Sequence, residues 1–412
     1  MSFTSPVTKT RWSDVYISSS VQLFGGTGAF LVMTTLVLGL QERGASGLQV
    51  AALIIAESLP MVVLGKLMGR MADRFDSRWL LVLAGVGQVA ACQLLVSATE
   101  FGWVVAGGVA LATATAVAGP TRTALLPAMA MPEDLPRANA IGQTANSMGM
   151  MAGPALAGLL VGTGDVQGTL QIASFGFLAT IVAGITLRTR RGGARVASDV
   201  DSPSAAPAWK LRHDRMLWAV VWGMTLVIGS VSAVTVVLVF FIRGTLQGTA
   251  TMYGLVDALW TTGVLGGAWL IARLIRPHVT DAALVRWMFL IVGLISGVVV
   301  LVGAAQAVLW LVPCYLVGGA LNGMMNVIMG TVMGRRVPAD ARGRAAAALQ
   351  SRANGGALVG FVLGGLLLEV VTPRWMILGA GLLGLLMVLL VTPKVLRVSQ
   401  PASQKAHEPA LV

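Results

Sequence analysis

The amino-acid sequence predicts an all-α protein that crosses a membrane many times. Of its 412 residues, 56% are hydrophobic and only 11% are charged, and the mean hydropathy is +0.80. A water-soluble domain of this size needs more charge to cover its surface. The apolar residues also form runs of about 20 residues, the length that a helix needs to cross a hydrocarbon core of about 30 Å. The sequence therefore predicts a polytopic membrane protein.

Twelve such runs are separated by polar segments, and the segment after the sixth run is longer than the others. The predicted spans are 15–40, 48–68, 79–98, 102–125, 138–162, 168–187, 216–242, 249–275, 284–304, 307–331, 345–368 and 375–392. The longer segment is rich in Arg, Gly, Ser, Asp and Pro, which is typical of a flexible linker. We expect an N-terminal six-helix bundle (1–187), a linker (188–214), a C-terminal six-helix bundle (215–397) and a tail (398–412).

The placement of basic residues predicts how the chain is oriented. If both termini lie on one side, all but three of the 29 Lys and Arg fall on that side, the exceptions being Arg43, Arg243 and Arg374. The positive-inside rule then places both termini and the linker in the cytoplasm of a cell that has this protein in its inner membrane. The net charge of +12 does not indicate nucleic-acid binding, because the basic residues form short clusters between apolar runs.

The two halves of the chain are related by an offset of 207 residues. In each half, a segment containing Pro and Asp precedes a glycine-rich span, the fifth or the eleventh. Three pairs of residues align at this offset: Arg137 with Arg344, Gly153 with Gly360, and Gly158 with Gly365. This repeat predicts two parallel, pseudo-symmetric six-helix bundles.

A charged stretch at 65–78 follows the second span, where we expect a short turn. Gly69, Ala72, Asp73, Arg74 and Arg78 resemble the G-x-x-A-D-R-x-G-R-K motif between the second and third helices of major facilitator superfamily transporters. The match is incomplete, since Asp and Ser stand at two other motif positions. The resemblance implies the major facilitator fold and a cytoplasmic gate. In that gate Asp73 would lie at the N-terminus of the eleventh helix, where the helix dipole favours an anion.

The fifth span carries a second motif, formed by Gly149, Gly153, Pro154 and Gly158. Glycines at four-residue spacing let two helix backbones approach closely, and a proline can bend the helix. The motif resembles the glycine-proline motif of antiporters in the same superfamily, which implies export; tight helix packing without that role is the alternative. Together with the end of helix four (120–127) and the start of helix five (137–140), it makes the chain similar to a bacterial branch that includes macrolide and siderophore exporters.

Three ionisable residues within the spans are candidates for proton coupling. Glu57 and Asp257 lie in the second and eighth spans, where an ionised side chain costs about 3 kcal/mol or more. A carboxyl that is neutral when buried and ionises when it meets water can carry protons, whereas a structural, hydrogen-bonded carboxyl is the alternative for each. Arg122, late in the fourth span, corresponds by resemblance to an arginine linked to proton coupling in antiporters; a snorkelling arginine is the alternative.

The resemblance also implies a substrate cavity lined by helices one, four, seven and ten. Polar and aromatic residues on these helices and on helix eight are candidates to contact substrate: Gln22, Thr27, Trp222, Thr225, Trp260, Asn322 and Asn326. The two asparagines are one turn apart and share a helix face. Few charges together with Trp, Met and amide groups favour an amphipathic, neutral or cationic substrate over a sugar phosphate.

These patterns predict a secondary active transporter that exports small amphipathic compounds, such as drugs or natural products, in exchange for protons. We expect it not to be an enzyme, because the sequence has no phosphate-binding Gly-Lys-Ser/Thr loop, His-rich metal site or nucleophile triad. No cofactor, metal, nucleic acid or obligate protein partner is expected, only substrate, protons and the lipid bilayer. Uptake of a small metabolite and a non-transporting sensor or scaffold are the alternatives.

Overall fold

The computed structural model describes residues 9–189, 214–275, 279–338 and 341–399, and within these ranges it contains long helices and no strand. The twelve long helices there overlap the twelve predicted spans, which confirms the predicted fold class. They are α1 (Trp12–Glu42), α2 (Gly47–Arg74), α3 (Ser77–Ser97), α4 (Phe101–Met129), α5 (Leu135–Val161), α6 (Val166–Thr186), α7 (Arg215–Phe240), α8 (Ala250–Leu274), α9 (Asp281–Ala304), α10 (Leu311–Arg336), α11 (Arg342–Leu367) and α12 (Pro373–Ser399).

Ten of these helices are long and apolar enough to cross a membrane by length and composition. The other two are α5 and α11, which have many glycines and several polar or basic residues, among them Arg137 and Arg352. Most of their described glycines lie against neighbouring helices, an exception being Gly355, where an added Cβ would meet nothing within 4 Å. Glycines let these helices pack closely on their neighbours on one face, while large apolar side chains such as Leu159 and Val359 are exposed on the other.

The charged stretch after the second span is mostly helical, so the turn expected at 65–78 is wrong for most of its length. Helix α2 continues to Arg74 and α3 begins at Ser77, which leaves only two residues between them. The stretch contains Lys, Leu, Met and Arg, which are good helix formers, and its glycines are tolerated within a helix. Asp76 ends the turn: its side chain accepts a hydrogen bond of 2.8 Å from the backbone N–H of Arg78 and caps α3.

The helices form two compact units. The first comprises the chain up to Ser202 together with Leu238–Thr261, and the second comprises Pro203–Val237 together with the chain from Thr262 onward. The end of α7 and the first half of α8 thus pack with the N-terminal helices. The domain boundaries expected from the sequence divide the chain by its repeat and not by its packing, and they stay a prediction.

In the first unit, two motif glycines bring α5 against the backbone of α1. A Cβ added at Gly149 would lie 2.6 Å from the carbonyl oxygen of Leu23 and 2.9 Å from the amide nitrogen of Thr27. At Gly153 it would lie 2.9 Å from the carbonyl oxygen of Thr27 and from the amide nitrogen of Leu31. These are backbone atoms, which cannot rotate away, so only glycine fits at either position.

In the second unit, α11 packs on α7 in the same way. A Cβ added at Gly356 would lie 2.7 Å from the carbonyl oxygen of Thr225, and at Gly360 it would lie 2.5 Å from the carbonyl oxygen of Gly229 and 3.2 Å from the amide nitrogen of Ala233. Gly356 and Gly360 follow Gly149 and Gly153 by the 207-residue offset of the sequence repeat. In both units, successive glycines meet carbonyls four residues apart, so the two halves share one helix-packing pattern.

In each unit, hydrogen bonds or ion pairs of aspartate side chains join the ends of neighbouring helices. In the first, the buried Asp14 accepts hydrogen bonds of 2.9 and 2.6 Å from the backbone N–H and the hydroxyl of Thr189, which joins the start of α1 to the end of α6. In the second, Oδ2 of Asp214 accepts a hydrogen bond of 2.7 Å from Nε of Arg336, and Oδ2 of Asp281 lies 3.4 Å from Nη1 of the same arginine. This pairing joins the starts of α7 and α9 to the end of α10.

Candidate transport site

Glu57 lies on α2, half-buried against α4. A Cβ added at Gly108 of α4 would be 3.1 Å from its Oε1, so the absence of a side chain there makes room for the carboxyl group. Among the described residues, no hydrogen bond or ion pair reaches this carboxyl. If Glu57 is a structural carboxyl, which is the alternative, it lacks the hydrogen-bond partner that this role needs on the described part of the chain.

Asp257 lies half-buried on α8, in the part of that helix that belongs to the first unit. Tyr253, which is buried, precedes it by one helical turn, and Trp260, which is half-buried, follows it by almost one turn. The three side chains share one face of the helix. Sequence reasoning identified Asp257 and Trp260 and missed Tyr253, whose four-residue spacing from Asp257 was the available signal.

Arg122 lies half-buried on α4, between the two prolines of that helix, Pro120 and Pro127. Because α4 continues to Met129, Arg122 is two helical turns from the end of the helix and not at its last turn, as the predicted span implied. Within the described ranges its guanidinium makes no hydrogen bond or ion pair. Its role in proton coupling stays a prediction.

Two substrate candidates of the first unit lie at the contact between α1 and α5. Gln22 points at Gly142, where an added Cβ would be 2.6 Å from its Nε2. The hydroxyl of Thr27 donates 2.7 Å to the carbonyl oxygen of Leu23 in its own helix. Both residues are half-buried, so the structure places them beside the fifth-helix motif.

The other substrate candidates belong to the second unit. Trp222 is 45% exposed, and the hydroxyl of Thr225 donates 2.8 Å to the carbonyl oxygen of Val221 in its own helix. Nδ2 of the exposed Asn326 donates 3.2 Å to Oδ1 of Asn322, so these two amides do share a face of α10. The amide pair retains donors and acceptors that are not used within the helix.

Sequence reasoning missed Arg352 as a site residue. It lies half-buried on α11, with its guanidinium carbon 5.1 Å from the ring centroid of Trp218 and 5.9 Å from that of Trp222. The two rings meet edge to face at 5.8 Å. The distribution of basic residues groups Arg352 with a cytoplasmic segment, although the predicted eleventh span, 345–368, contains it. That inclusion was the available signal.

The last glycine of the fifth-helix motif contacts α8 and not α1. A Cβ added at Gly158 would lie 2.7 Å from the carbonyl oxygen of Ala250, and one added at Gly254 would meet the carbonyl oxygen of Pro154. The hydroxyl of Thr251 also donates 3.1 Å to the carbonyl oxygen of Gly158. The glycines of the motif thus contact two helices: Gly149 and Gly153 contact α1, and Gly158 contacts α8.

An ion pair holds the end of α1 to the segment after α7. Nη2 of Arg243 lies 2.8 Å from Oε1 of Glu42, and its Nε donates 3.1 Å to Oε1 of Gln41. Arg243 lies in a π-helical turn, Phe241–Thr245, a geometry that is often found at functional sites. The two charged side chains are 22% and 32% exposed, so water screens their attraction in part.

Exchanging the charges of this pair is expected to restore what each single reversal removes. Glu42→Arg alone places two cations side by side and should lower the thermal transition of the purified protein by a few degrees, as should Arg243→Glu alone. An exposed pair contributes about 0.2–1 kcal/mol, so the effect is modest. The double variant should regain most of the loss; a double variant no more stable than the singles would show that the pair contributes nothing.

The gate motif is only partly described. Gly69 is half-buried and an added Cβ would meet nothing within 4 Å, Arg74 is exposed, and Arg78 is half-buried. The side chain of Asp73 lies outside the described residues, as do most of the linker (188–214) and of the tail (398–412). The gate, including its contact with the eleventh helix, stays a prediction.

The described residues form twelve long helices, and ionisable groups lie within the apolar stretches of some of them, which is typical of membrane transporters. The family model of the Major Facilitator Superfamily matches residues 19–284 and 222–411, and the chain belongs to this family. It is therefore a multi-pass membrane protein and a secondary transporter, and not an enzyme.

The comparisons also give relatives and fold neighbours. The chain is 23% identical over 377 residues to an uncharacterized MFS-type transporter of Bacillus subtilis (strain 168), YfiS, with 88% of each chain covered. Its fold is similar to that of a bacterial homologue of the iron transporter ferroportin in an inward-facing state, with a TM-score of 0.71 and 17% identity over 95% of this chain and 100% of that one.

A POT family transporter in complex with 5-aminolevulinic acid has a TM-score of 0.76 at 9% identity, covering 94% and 96% of the two chains. A bacterial homolog of the human lysosomal transporter Spinster, inward-facing and unoccupied, has a TM-score of 0.70 at 14% identity, covering 95% and 99%. At these identities the likeness establishes the fold.

Proposed function

We propose that this protein exports small amphipathic compounds from a bacterial cell in exchange for protons, by alternating access. The observation that carries the proposal is Glu57, a carboxyl group within a membrane-spanning helix that has no hydrogen-bond partner among the described residues. An ionised carboxylate there costs about 3 kcal/mol, so the group favours its neutral form until water reaches it. A group that changes its charge with access to water is what proton coupling requires.

The proton gradient supplies enough energy for this task. One proton moving down a potential of 100 mV releases about 2.3 kcal/mol, which corresponds to a gradient of roughly fiftyfold for a neutral substrate. Asp257, on α8, is the second candidate for the proton site, and Arg122, on α4, is the third candidate for proton coupling, by its resemblance to the arginine of antiporters. We place the principal role on Glu57 because of its position in the middle of α2.

The proposed direction of transport rests on the fifth-helix motif. The contacts of Gly149 and Gly153 with α1, and of Gly158 with α8, leave α5 free of side chains along two backbones. Helices that meet through glycines can slide past one another with little steric cost, as alternating access requires. The resemblance of this motif to that of antiporters supports export, and uptake of a small metabolite is the competing outcome of the test below.

The proposal extends to the surroundings of the protein. We propose a bacterial inner-membrane location with both termini in the cytoplasm, which the distribution of Lys and Arg supports. The substrate and protons are the only partners proposed, with no obligate protein partner. The stretch with Gly69, Asp73, Arg74 and Arg78 is proposed as the cytoplasmic gate, and Asp73→Asn should impair transport with little loss of protein.

Everted membrane vesicles test the direction of transport. Vesicles that contain the protein should accumulate at least one of three probes when their interior is made acidic: ethidium, erythromycin or 2-naphthoate. Export from the cell appears as uptake into everted vesicles, and accumulation should disappear when an uncoupler collapses the gradient. Accumulation in right-side-out vesicles instead would establish uptake, and accumulation that survives the uncoupler would exclude proton coupling.

A further inference from the structure

The contact between α7 and α11 in the second unit places an arginine among tryptophans. Trp218, Trp222 and Thr225 follow one face of α7, and Arg352 lies one turn before Gly356, the glycine that touches the backbone of Thr225. The guanidinium carbon is within 6 Å of both ring centroids, the range in which a cation is attracted to an aromatic face. Helix packing therefore fixes where the arginine and its two rings stand.

The position of Arg352 makes this cation costly to keep. It is the eleventh residue of a 26-residue helix, so it stands about 15 Å along the helix from Arg342 at 1.5 Å per residue. On the described part of the chain, no carboxylate pairs with it. Arg352 lies within the predicted span 345–368, and a charge in such a span with no counter-ion among the described residues is a functional-site candidate by default.

Arg352 retains most of its hydrogen-bonding capacity. Its Nη1 donates 3.0 Å to the carbonyl oxygen of Ala348, one turn earlier in the same helix. A guanidinium has five N–H donors, and the described residues accept only this one, so four remain for a ligand; pairs of them match the two oxygens of a carboxylate or sulfonate. Trp222 is 45% exposed beside it and offers an apolar ring.

We propose that Arg352, Trp218 and Trp222 bind an anionic group attached to an aromatic or apolar body. The guanidinium binds the anion, and the exposed ring of Trp222 packs against the apolar part of the ligand. This inference rests on the proposed transport function, because it assigns the site to the transported substrate. It replaces the neutral or cationic substrate expected from the sequence with an anionic amphiphile.

The purified protein in a non-ionic detergent tests the proposal without any gradient, by calorimetric titration with three naphthalene compounds of nearly equal size. We expect 2-naphthoate to bind about tenfold or more tightly than 2-naphthylmethanol, and 2-naphthylmethylammonium to bind weakest, because charge-assisted hydrogen bonds to the guanidinium are made only by the anion. Since binding is measured without transport, failure of the transport assay leaves this result intact, and the reverse also holds.

Variants separate the arginine from its surroundings. Arg352→Gln should lower the affinity for 2-naphthoate about tenfold and leave the affinity for 2-naphthylmethanol unchanged. Trp222→Ala should lower the affinity for both compounds. Arg352→Lys keeps the charge in the same place and should retain part of the preference for the anion. Arg273, which stands 3.6 Å from the ring centroid of Trp269 in the same unit, is the matched control, and Arg273→Gln should leave all three affinities unchanged.

Two results would overturn the proposal. Equal affinity for the anion and the alcohol, or undiminished 2-naphthoate binding by Arg352→Gln, would show that Arg352 only anchors α11 in the membrane. An anionic lipid headgroup offers the same chemistry, so the titration is repeated in phosphatidylcholine nanodiscs with and without phosphatidylglycerol. Equal affinity for 2-naphthoate in the two kinds of disc supports a soluble substrate. Loss of 2-naphthoate binding in the discs with phosphatidylglycerol would show that the site binds an anionic lipid instead.

Discussion

Glu57→Gln is expected to abolish gradient-driven accumulation in everted vesicles while the protein remains folded. Glutamine has nearly the same size and polarity as glutamate but cannot ionise, so no proton is bound or released when the group meets water. Accumulation should fall to its level without a gradient, a loss of roughly fiftyfold at 100 mV for a neutral substrate. Substrate exchange without a gradient should persist, because the carrier still changes its access to the two sides.

Ser58→Ala is the matched control for this variant. Ser58 is the next residue of α2, and its hydroxyl donates 2.8 Å to the carbonyl oxygen of Ile54 in the same helix. Its removal takes a polar group from the same turn without touching an ionisable one, and transport should be normal. Accumulation by Glu57→Gln equal to that of the wild type would move the proton role to Asp257, for which Asp257→Asn is the corresponding test.

Gly267→Ala is expected to destabilise the folded protein, and the same change at its neighbour Gly266 is not. A Cβ added at Gly267 would overlap the backbone of Ala320 in α10, and at Gly323 it would meet the carbonyl oxygen of Val264 in α8. The two helices would have to separate, at a cost of about 1–3 kcal/mol or more. At Gly266 an added Cβ meets nothing within 4 Å.

The adjacent pair makes this comparison sharp, because both glycines are in one helix and undergo the same chemical change. Alanine has a higher helix propensity than glycine by about 1 kcal/mol, so Gly266→Ala should leave the yield of monodisperse protein unchanged or raise it. Gly267→Ala should lower that yield and the thermal transition, both read by size-exclusion chromatography with fluorescence detection. Similar values for the two variants would contradict the close α8–α10 contact.

The sequence predicted the positions of the helices well because a run of apolar residues is a local property. All twelve spans coincide with helices to within a few residues at most ends. The largest differences are the ends of α12, at Ser399 and not near 392, and of α2, at Arg74 and not near 68. In α2 the charged residues of the motif are good helix formers, so the helix continues. Hydrophobicity marks where the membrane ends, and a helix can continue beyond it.

Contacts between distant helices could be predicted only where a motif repeats. The 207-residue offset indicated that Gly153 and Gly360 are equivalent, and the structure shows that each meets the backbone of the first helix of its own half. Nothing local in the sequence indicates that Gly267 faces Ala320, because each glycine alone reads as an ordinary small residue.

The candidate site was predicted by residue type better than by partner. Glu57 and Asp257 stand out as carboxyls in apolar runs. Arg352 does not, because Arg342 and Arg344 precede it closely and all three together are typical of a cytoplasmic segment. Its partners, Trp218 and Trp222, are on a helix more than a hundred residues earlier, so only the fold brings them to it.

The protein is proposed to exchange its substrate for protons across the membrane. The decay of an imposed proton gradient measures this exchange directly. Everted vesicles are energised until the fluorescence of a pH-sensitive acridine dye is quenched, and each of the three probes is then added. Exchange predicts that any probe that accumulates restores fluorescence within seconds in the wild type and not in Glu57→Gln. Accumulation of a probe without any return of fluorescence would contradict the account.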